Sequence, residues 1–426
     1  MPTIADLGGL EILDSRGHPT VLARCTLASG AVGSASVPSG ASTGRAEALE
    51  LRDGDPERYR GLGCRKAVSH LRGELREALK GQTFEHQCEL DRALIALDGT
   101  DSKARLGANA ILAASLAFAR AAAAEGNSPL YRHLAEAFGH EPITLPRPTV
   151  NLFSGGKHAG GQVDIQDVLL IPEAATTMDE ALATVYDIYQ HAAEKAGERY
   201  GVRALVADEG GLAPPFPTAE AMIEEALEAI SAAGYAPGKE VALAVDVASS
   251  HFFQGGRYRL GEEALEAQGM IERLLGWLDA YPIRSIEDGL AEDDWDHWPE
   301  LRERVGGRAL VLGDDLLCSN PRRIDRALKT GASDALLLKV NQIGTLTEAD
   351  RALKLARSAG WAVTVSARSG ETEDDWLADL ATGWGGNFIK IGSLTRSERL
   401  AKYNRLRAIE EETGFALARW HRDGNP

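Results

Sequence analysis

Apolar and polar residues fall in blocks along this chain. From position 241 onward the blocks follow one rule: a short apolar run ends abruptly in a charged side chain. The runs lead to Asp246, Glu287, Asp314, Lys339, Arg368 and Lys390, spaced 22 to 41 residues apart. Runs this short, bounded by loops, are predicted to be buried parallel strands, with room for a helix in each interval. Repetition of a strand–helix unit that delivers one polar residue per strand tip predicts the mouth of a (β/α)8-type barrel. Upstream the pattern differs. Residues 20–27 and 31–37, joined through Gly30, predict a β-hairpin. From about Arg65 to Ala137, long stretches of Ala, Leu, Arg and Glu predict a block of helices. Prolines at 142, 146 and 148 then punctuate the chain. They divide an α+β unit over residues 1–140 from a barrel over residues 145–426.

At 426 residues the chain exceeds the size at which single cores stop growing, which agrees with two domains. Its net charge of −17 excludes the basic face that nucleic-acid binding needs and disfavours an anionic membrane surface. The most apolar segment, 108–124, is interrupted by Asn109, Ser115 and Arg120, so it is expected to be a packed helix, not a membrane span. The four cysteines are scattered, without a CxxC pair, as expected for idle thiols in a reducing compartment. No basic stretch followed by an apolar core opens the chain, so a cytoplasmic location is expected.

Three carboxylates and three cations converging at one barrel mouth suit a divalent metal that holds an anionic substrate beside a lysine base. Two glycine-rich loops, 39–44 and 154–161, carry hydroxyl or imidazole groups where backbone N–H can approach a phosphate, and are candidate lids.

Several blocks, taken together, resemble the enolase family: Glu11–Gly17, Val37–Gly44, Asp208–Gly211, Asp246–Ser250, Leu338–Thr345 and Arg368–Asp374. The resemblance implies an enolase-type modified (β/α)8 barrel, its first strands out of pure parallel order, capped by an N-terminal α+β domain. It implies two Mg²⁺ ions, one held by Asp246, Glu287 and Asp314, the other completed by substrate and by Ser39 of the first lid. Lys339 matches the base that removes the proton alpha to the substrate carboxylate, and crowding by metal and Lys390 is expected to shift it toward its neutral form. Glu209 matches the acid for the departing hydroxyl. Lys390 is expected to hold the carboxylate, and Arg368 and Ser369 the phosphoryl group. His158 of the second lid is retained. A homodimer or higher assembly is expected, with Leu10, Leu22 and Ala408 making its contact more apolar than usual.

Departures from the pattern carry information of their own. Ala367 stands where the family has an active-site histidine, Asp167 where it has glutamate, Gly289 where it has proline, and His18 where it has asparagine. With Lys339, Glu209 and the metal carboxylates intact, these changes predict a retuned site, widened at the phosphoryl end. The pattern resembles that of carboxyphosphonoenolpyruvate synthases of phosphinate natural-product pathways, which implies a 2-phosphoglycerate-type substrate and a CMP-activated phosphonoformate donor. An authentic enolase tolerating Ala367, and a non-catalytic binding protein keeping the enolase shell, stand as alternatives.

Overall fold

The computed structural model describes residues 1–201 and 205–420; residues 421–426, assigned above to the end of the barrel domain, lie outside the described residues. The chain opens with an antiparallel sheet of β1 (Ile4–Leu13), β2 (Pro19–Leu27) and β3 (Val32–Ser36). Alternation along β2 turns Val21, Ala23, Cys25 and Leu27 inward. Five helices follow: α1 (Arg65–Arg72), α2 (Glu74–Leu79), α3 (Gln87–Asp98), α4 (Ala108–Glu125) and α5 (Leu130–Phe138). The alanine-rich α4 lies against the sheet so closely that a Cβ on Gly33 would stand 2.2 Å from the carbonyl oxygen of Ala117. Small side chains on both partners are what permit that approach. No helix among the described residues is long and apolar enough to cross a membrane.

A closed eight-stranded barrel forms the rest. It begins with β4 (Arg147–Ser154) and β5 (Asp167–Pro172), then α6 (Met178–Tyr200), α7 (Ala219–Ala232) and β6 (Val241–Asp246). Strand β5 runs antiparallel to both its neighbours, so the barrel departs from uniform parallel order at its start. A small meander of β7 (Phe253–Gln254), β8 (Arg257–Leu260) and β9 (Glu263–Leu265) follows, which the hydrophobic pattern had not indicated. Thereafter strand and helix alternate: α8 (Ala267–Ala280), β10 (Ile283–Glu287), α9 (Trp298–Val305), β11 (Leu310–Gly313), α10 (Pro321–Thr330) and β12 (Ala335–Leu338). The chain ends with α11 (Leu346–Ser358), β13 (Ala362–Ser366), α12 (Trp376–Gly383), β14 (Phe388–Gly392) and α13 (Ser397–Thr413), and β14 closes onto β4.

Continuous apolar runs make these strands because both faces are covered. Outward residues meet the helices, while Leu312, Leu337 and Phe388 on one side and Leu169 and Ile171 on the other fill the lumen. Trp420 packs against both groups, its ring 4.4 Å from that of Phe388. With its floor packed, the barrel offers chemistry at the opposite, carboxyl-terminal end. There the segment after β3 crosses the mouth, pairing Ser39 with Gly370 through backbone hydrogen bonds of 2.8 and 2.9 Å.

Candidate active site

Strand register assembles the floor of the site. Asp246 and Glu287 are the last residues of β6 and β10 and lie opposite each other in the ladder; Asp314 and Lys339 come directly after β11 and β12. Lys390, inside β14, places Nζ 2.8 Å from Asp246 Oδ2 and 2.8 and 2.9 Å from the two oxygens of Glu287. Lys339 Nζ donates to Asp314 Oδ2, whose other oxygen accepts from Gln342 at 2.9 Å. Asp288, in a left-handed conformation (φ 44), accepts the backbone N–H groups of Asp314 and Asp315 at 3.0 and 2.7 Å. It thereby fixes the turn that aims Asp314 inward.

Electrostatics on this floor are strained by burial. Burial would raise Asp246, but Lys390 overrides it and holds the carboxyl down to about 2. Glu287 goes the other way, pushed well up by burial and by Asp246. For Lys390 and Lys339 burial favours the neutral amine, yet both are raised, Lys390 by Asp246 and Glu287, Lys339 by Asp314. Pairing with Asp314 favours the charged amine in this arrangement; the shift toward neutrality expected of Lys339 was tied to a metal beside it.

Asp246, Glu287 and Asp314 offer hard oxygen donors from three adjacent strand tips, a set suited to Mg²⁺. Their negative charge, with Asp288 and Asp315 close behind, exceeds what Lys339 and Lys390 neutralise. Gln166 donates to Asp246 at 3.1 Å, and its own side-chain oxygen is buried without a partner. An oxygen-lined, charge-deficient pocket of this kind fits a divalent cation. Among the described residues, the groups whose ligand atoms already lie within 4.8 Å of one another are Asp288 with Asp314 and Asp315, and His158 with Asp167 and Glu209; in the Asp246–Glu287–Asp314 set, Lys390 lies between the first two carboxylates. In the first, Asp288 is committed to backbone donors.

The second group is a proton-holding chain. His158 Nδ1 lies 3.0 Å from Asp167 Oδ2, and Nε2 lies 3.7 Å from Glu209 Oε1. Burial opposes a charge on the imidazole, but Asp167 and Glu209 hold its pKa up to about 9. Asp167 is in turn raised by burial, even against His158; burial also pushes Glu209 up, but His158, Arg399, Lys390 and Lys339 together lower it. Ser154 donates to Asp167 at 2.6 Å and Asn151 to Glu209 at 3.0 Å.

Ala367, Arg368 and Ser369 form the opposite wall. Arg368 is buried, its guanidinium donating to Glu47 Oε2 at 3.1 Å, Asn341 Oδ1 at 3.0 Å and the Ser42 carbonyl at 2.6 Å. Ser369 Oγ accepts the N–H of Ala41 at 2.8 Å. Behind this wall, Arg399 clamps the carbonyls of Arg368 and Ser369, each at 2.6 Å. The lid therefore lies down on the wall formed by Arg368 and Ser369. The cavity lined by Ser42, Lys339, Ala367, Arg368 and Lys390 has room for the centre of about one water, 10 Å³. The space expected from Ala367 is thus no standing void, because the lid closes over it.

Sequence reasoning placed Asp246, Glu287, Asp314, Lys339, Lys390, Arg368, Ser369, Ala367, His158, Asp167 and Glu209 together, and the structure brings all of them to this mouth. Ser39 is the exception. Its hydroxyl donates to Glu50 at 3.0 Å and accepts from Arg52 at 2.7 Å, in an outer cleft. The loop serine that lines the cavity is Ser42. Ser42, Glu47, Gln166 and His251 were missed as individual residues; Ser42 lay within the 39–44 candidate lid and Gln166 beside Asp167, whereas Glu47 and His251 carried no signal.

Two family models match the chain. The enolase N-terminal domain covers residues 4–134, and the enolase C-terminal TIM barrel domain covers residues 142–422.

Proposed function

The chain belongs to the enolase family, and from that premise we propose that it is a Mg²⁺-dependent enolase-type lyase acting on a 2-phosphoglycerate-like substrate. Asp246, Glu287 and Asp314 would hold one Mg²⁺, and a second would be completed by substrate and by the first lid, through Ser42 in place of Ser39. When bound, Mg²⁺ would draw Asp314's charge away from Lys339 and stabilise the negative charge that develops on the substrate carboxylate.

Lys339 takes the proton from the carbon alpha to the carboxylate. Lys390 holds that carboxylate, while Arg368 and Ser369 grip the phosphorus group. The departing hydroxyl receives a proton through the His158–Glu209 pair, whose proton is stored on His158 and steadied by Asp167. The observation that carries this reading is the convergence of Lys339, Glu209, Asp246 and Lys390 on one cavity beside Arg368, with Glu287 paired to Lys390 and Asp314 to Lys339. Formation of enolpyruvate absorbance from 2-phosphoglycerate and Mg²⁺ by the purified protein tests it, and absence of any Mg²⁺-dependent elimination overturns it.

For the specific reaction, we propose carboxyphosphonoenolpyruvate synthesis: a CMP-activated donor gives its phosphonoformyl group to the C2 oxygen in exchange for the phosphoryl group there, which leaves with CMP as CDP, and water is lost across C2 and C3. Ala367 supports this reading: it lines the cavity beside Arg368 and Ser369, where a bulkier phosphorus substituent would lie once the lid lifts. Asp167, a short acidic side chain at the other end, supports it too. Turnover of 2-phosphoglycerate at ordinary enolase rates, with no product from the phosphonoformate donor, would establish the alternative of an authentic enolase. We further propose a homodimer or higher assembly. Leu10, 52% exposed, pairs across the strands with Leu22, and Ala408 is exposed. Light scattering of the purified protein tests it; a monomer at micromolar concentration refutes it.

A further inference from the structure

His251 is a titratable group at the mouth for which the elimination chemistry gives no task. It ends a short turn after β6, beyond Ala248, whose φ of 48 swings the chain back over the barrel. That turn is anchored rigidly. Buried Ser249 donates its hydroxyl to the Gly289 carbonyl at 2.8 Å and its N–H to the Asp288 carbonyl at 3.1 Å. Ser250 Oγ accepts the N–H of Glu292 at 2.9 Å. From this fixed base His251 Nε2 reaches Ser42 Oγ at 3.0 Å, the lid hydroxyl that lines the cavity. Three residues on, the N–H of Arg45 donates to Glu292 at 2.9 Å, so the lid docks twice on one platform.

The other ring nitrogen, Nδ1, is buried without a partner. A polar atom in that state offsets part of the hydrogen bond the ring makes, so the closed arrangement keeps a modest net gain. Opening the lid lets water reach the ring and relieves the penalty. The contact is therefore strong enough to register the loop and weak enough to release it.

We propose that His251 is a positioning residue that latches the first lid over the cavity through Ser42. The proposal rests on the reading of the cavity as a site for a 2-phosphoglycerate-type substrate, because lid closure then sets how long that substrate is held. His251 touches no reacting atom. Its loss shifts KM more than kcat.

Trypsin cleavage after Arg45, whose side chain is 80% exposed on the lid, reports opening directly. In the full-length protein without ligand, His251→Ala is expected to be cleaved about threefold to tenfold faster than wild type, the factor for one neutral hydrogen bond. KM for 2-phosphoglycerate with Mg²⁺ is expected to rise by the same factor, with kcat within twofold. His251→Gln, which carries a nitrogen at a comparable reach, is expected to restore both. Equal cleavage of wild type and His251→Ala overturns the latch, as does faster cleavage that His251→Gln leaves uncorrected. If Mg²⁺ and 2-phosphoglycerate fail to protect wild type, the substrate reading falls, while the ligand-free comparison still decides the latch.

Discussion

The floor and the roof of this cavity are built differently. Asp246, Glu287, Asp314, Lys339 and Lys390 sit on or directly after strands whose register leaves them no choice of position. The roof, residues 39–47, is pinned at its start by the Ser39–Gly370 backbone pair and beyond it hangs from side-chain contacts: Glu47 and the Ser42 carbonyl on Arg368, Ala41 on Ser369, Ser42 on His251. Floor residues are held by the fold, whereas roof residues are held by the groups proposed to bind substrate. A rigid floor preserves charges that would be costly to rearrange. A roof that shares Arg368 and Ser369 with the ligand ties closure to what the pocket contains. On the proposed reading, chemistry belongs to the floor and choice of phosphorus substituent to the roof.

The largest effect that separates the two lies in the floor. Lys339→Ala removes the proposed base and is expected to lower 2-phosphoglycerate elimination by about 10⁴-fold without changing the lid's trypsin sensitivity. Steady-state rates above a hundredth of wild type would move the base elsewhere. His158, where the second lid meets the floor, gives the next. Its folded pKa, about 9, lies above the unfolded value near 6.5. The charged form therefore contributes stability that is complete below about pH 6.5 and lost as pH rises through 9, about 3 kcal/mol in all. Denaturant unfolding across that window should show the decline, and His158→Gln should flatten it. An unchanged slope in the variant would assign the titration to another group.

Glu287→Gln tests the floor alone. Burial and Asp246 already push this carboxyl toward its protonated form, so an amide there is expected to cost little without metal. Wild type should gain about 2.7 kcal/mol from Mg²⁺ at a hundred times its dissociation constant, a gain the variant loses. Equal Mg²⁺ stabilisation of both would remove Glu287 from the metal site. On the wall under the roof, Ala367→His is expected to raise simple elimination by about tenfold to a hundredfold, from a hydrogen bond to a charged group. Use of the phosphonoformate donor should fall in parallel; if neither rate moves, position 367 does not set specificity.

Legibility in the sequence follows the same division. Strand-tip residues could be read because an apolar run ending in a charge repeats with the barrel, so period and position coincide. The enolase blocks supplied the departures at the first two barrel strands, which no periodicity indicates: β5 is as apolar as a parallel strand would be. How Lys339 is paired could not be read, because that depends on which oxygen of Asp314 lies within reach, a matter of turn geometry set by Asp288. Loop residues were hardest. His251 lies just past the Asp246–Ser250 block, and its contact with Ser42 joins elements about two hundred residues apart, which only the fold brings together.

Ser39 and Ser42 sharpen the comparison with the smallest effect, because both are serines in one glycine-rich loop and only their surroundings differ. Ser39 bridges Arg52 and Glu50, so Ser39→Ala strands part of a charged network. It is expected to cost about 1 kcal/mol of stability with turnover within twofold. Ser42 faces the cavity and carries the His251 contact, so Ser42→Ala is expected to leave the unfolding midpoint unchanged while lowering kcat/KM for 2-phosphoglycerate by about tenfold. Melting curves and initial rates on the two variants decide between them. The reverse outcome would mean that the lid turns over before chemistry, bringing Ser39 inward. The roof would then have two seated arrangements on one floor, and the closed form described here would be the resting one.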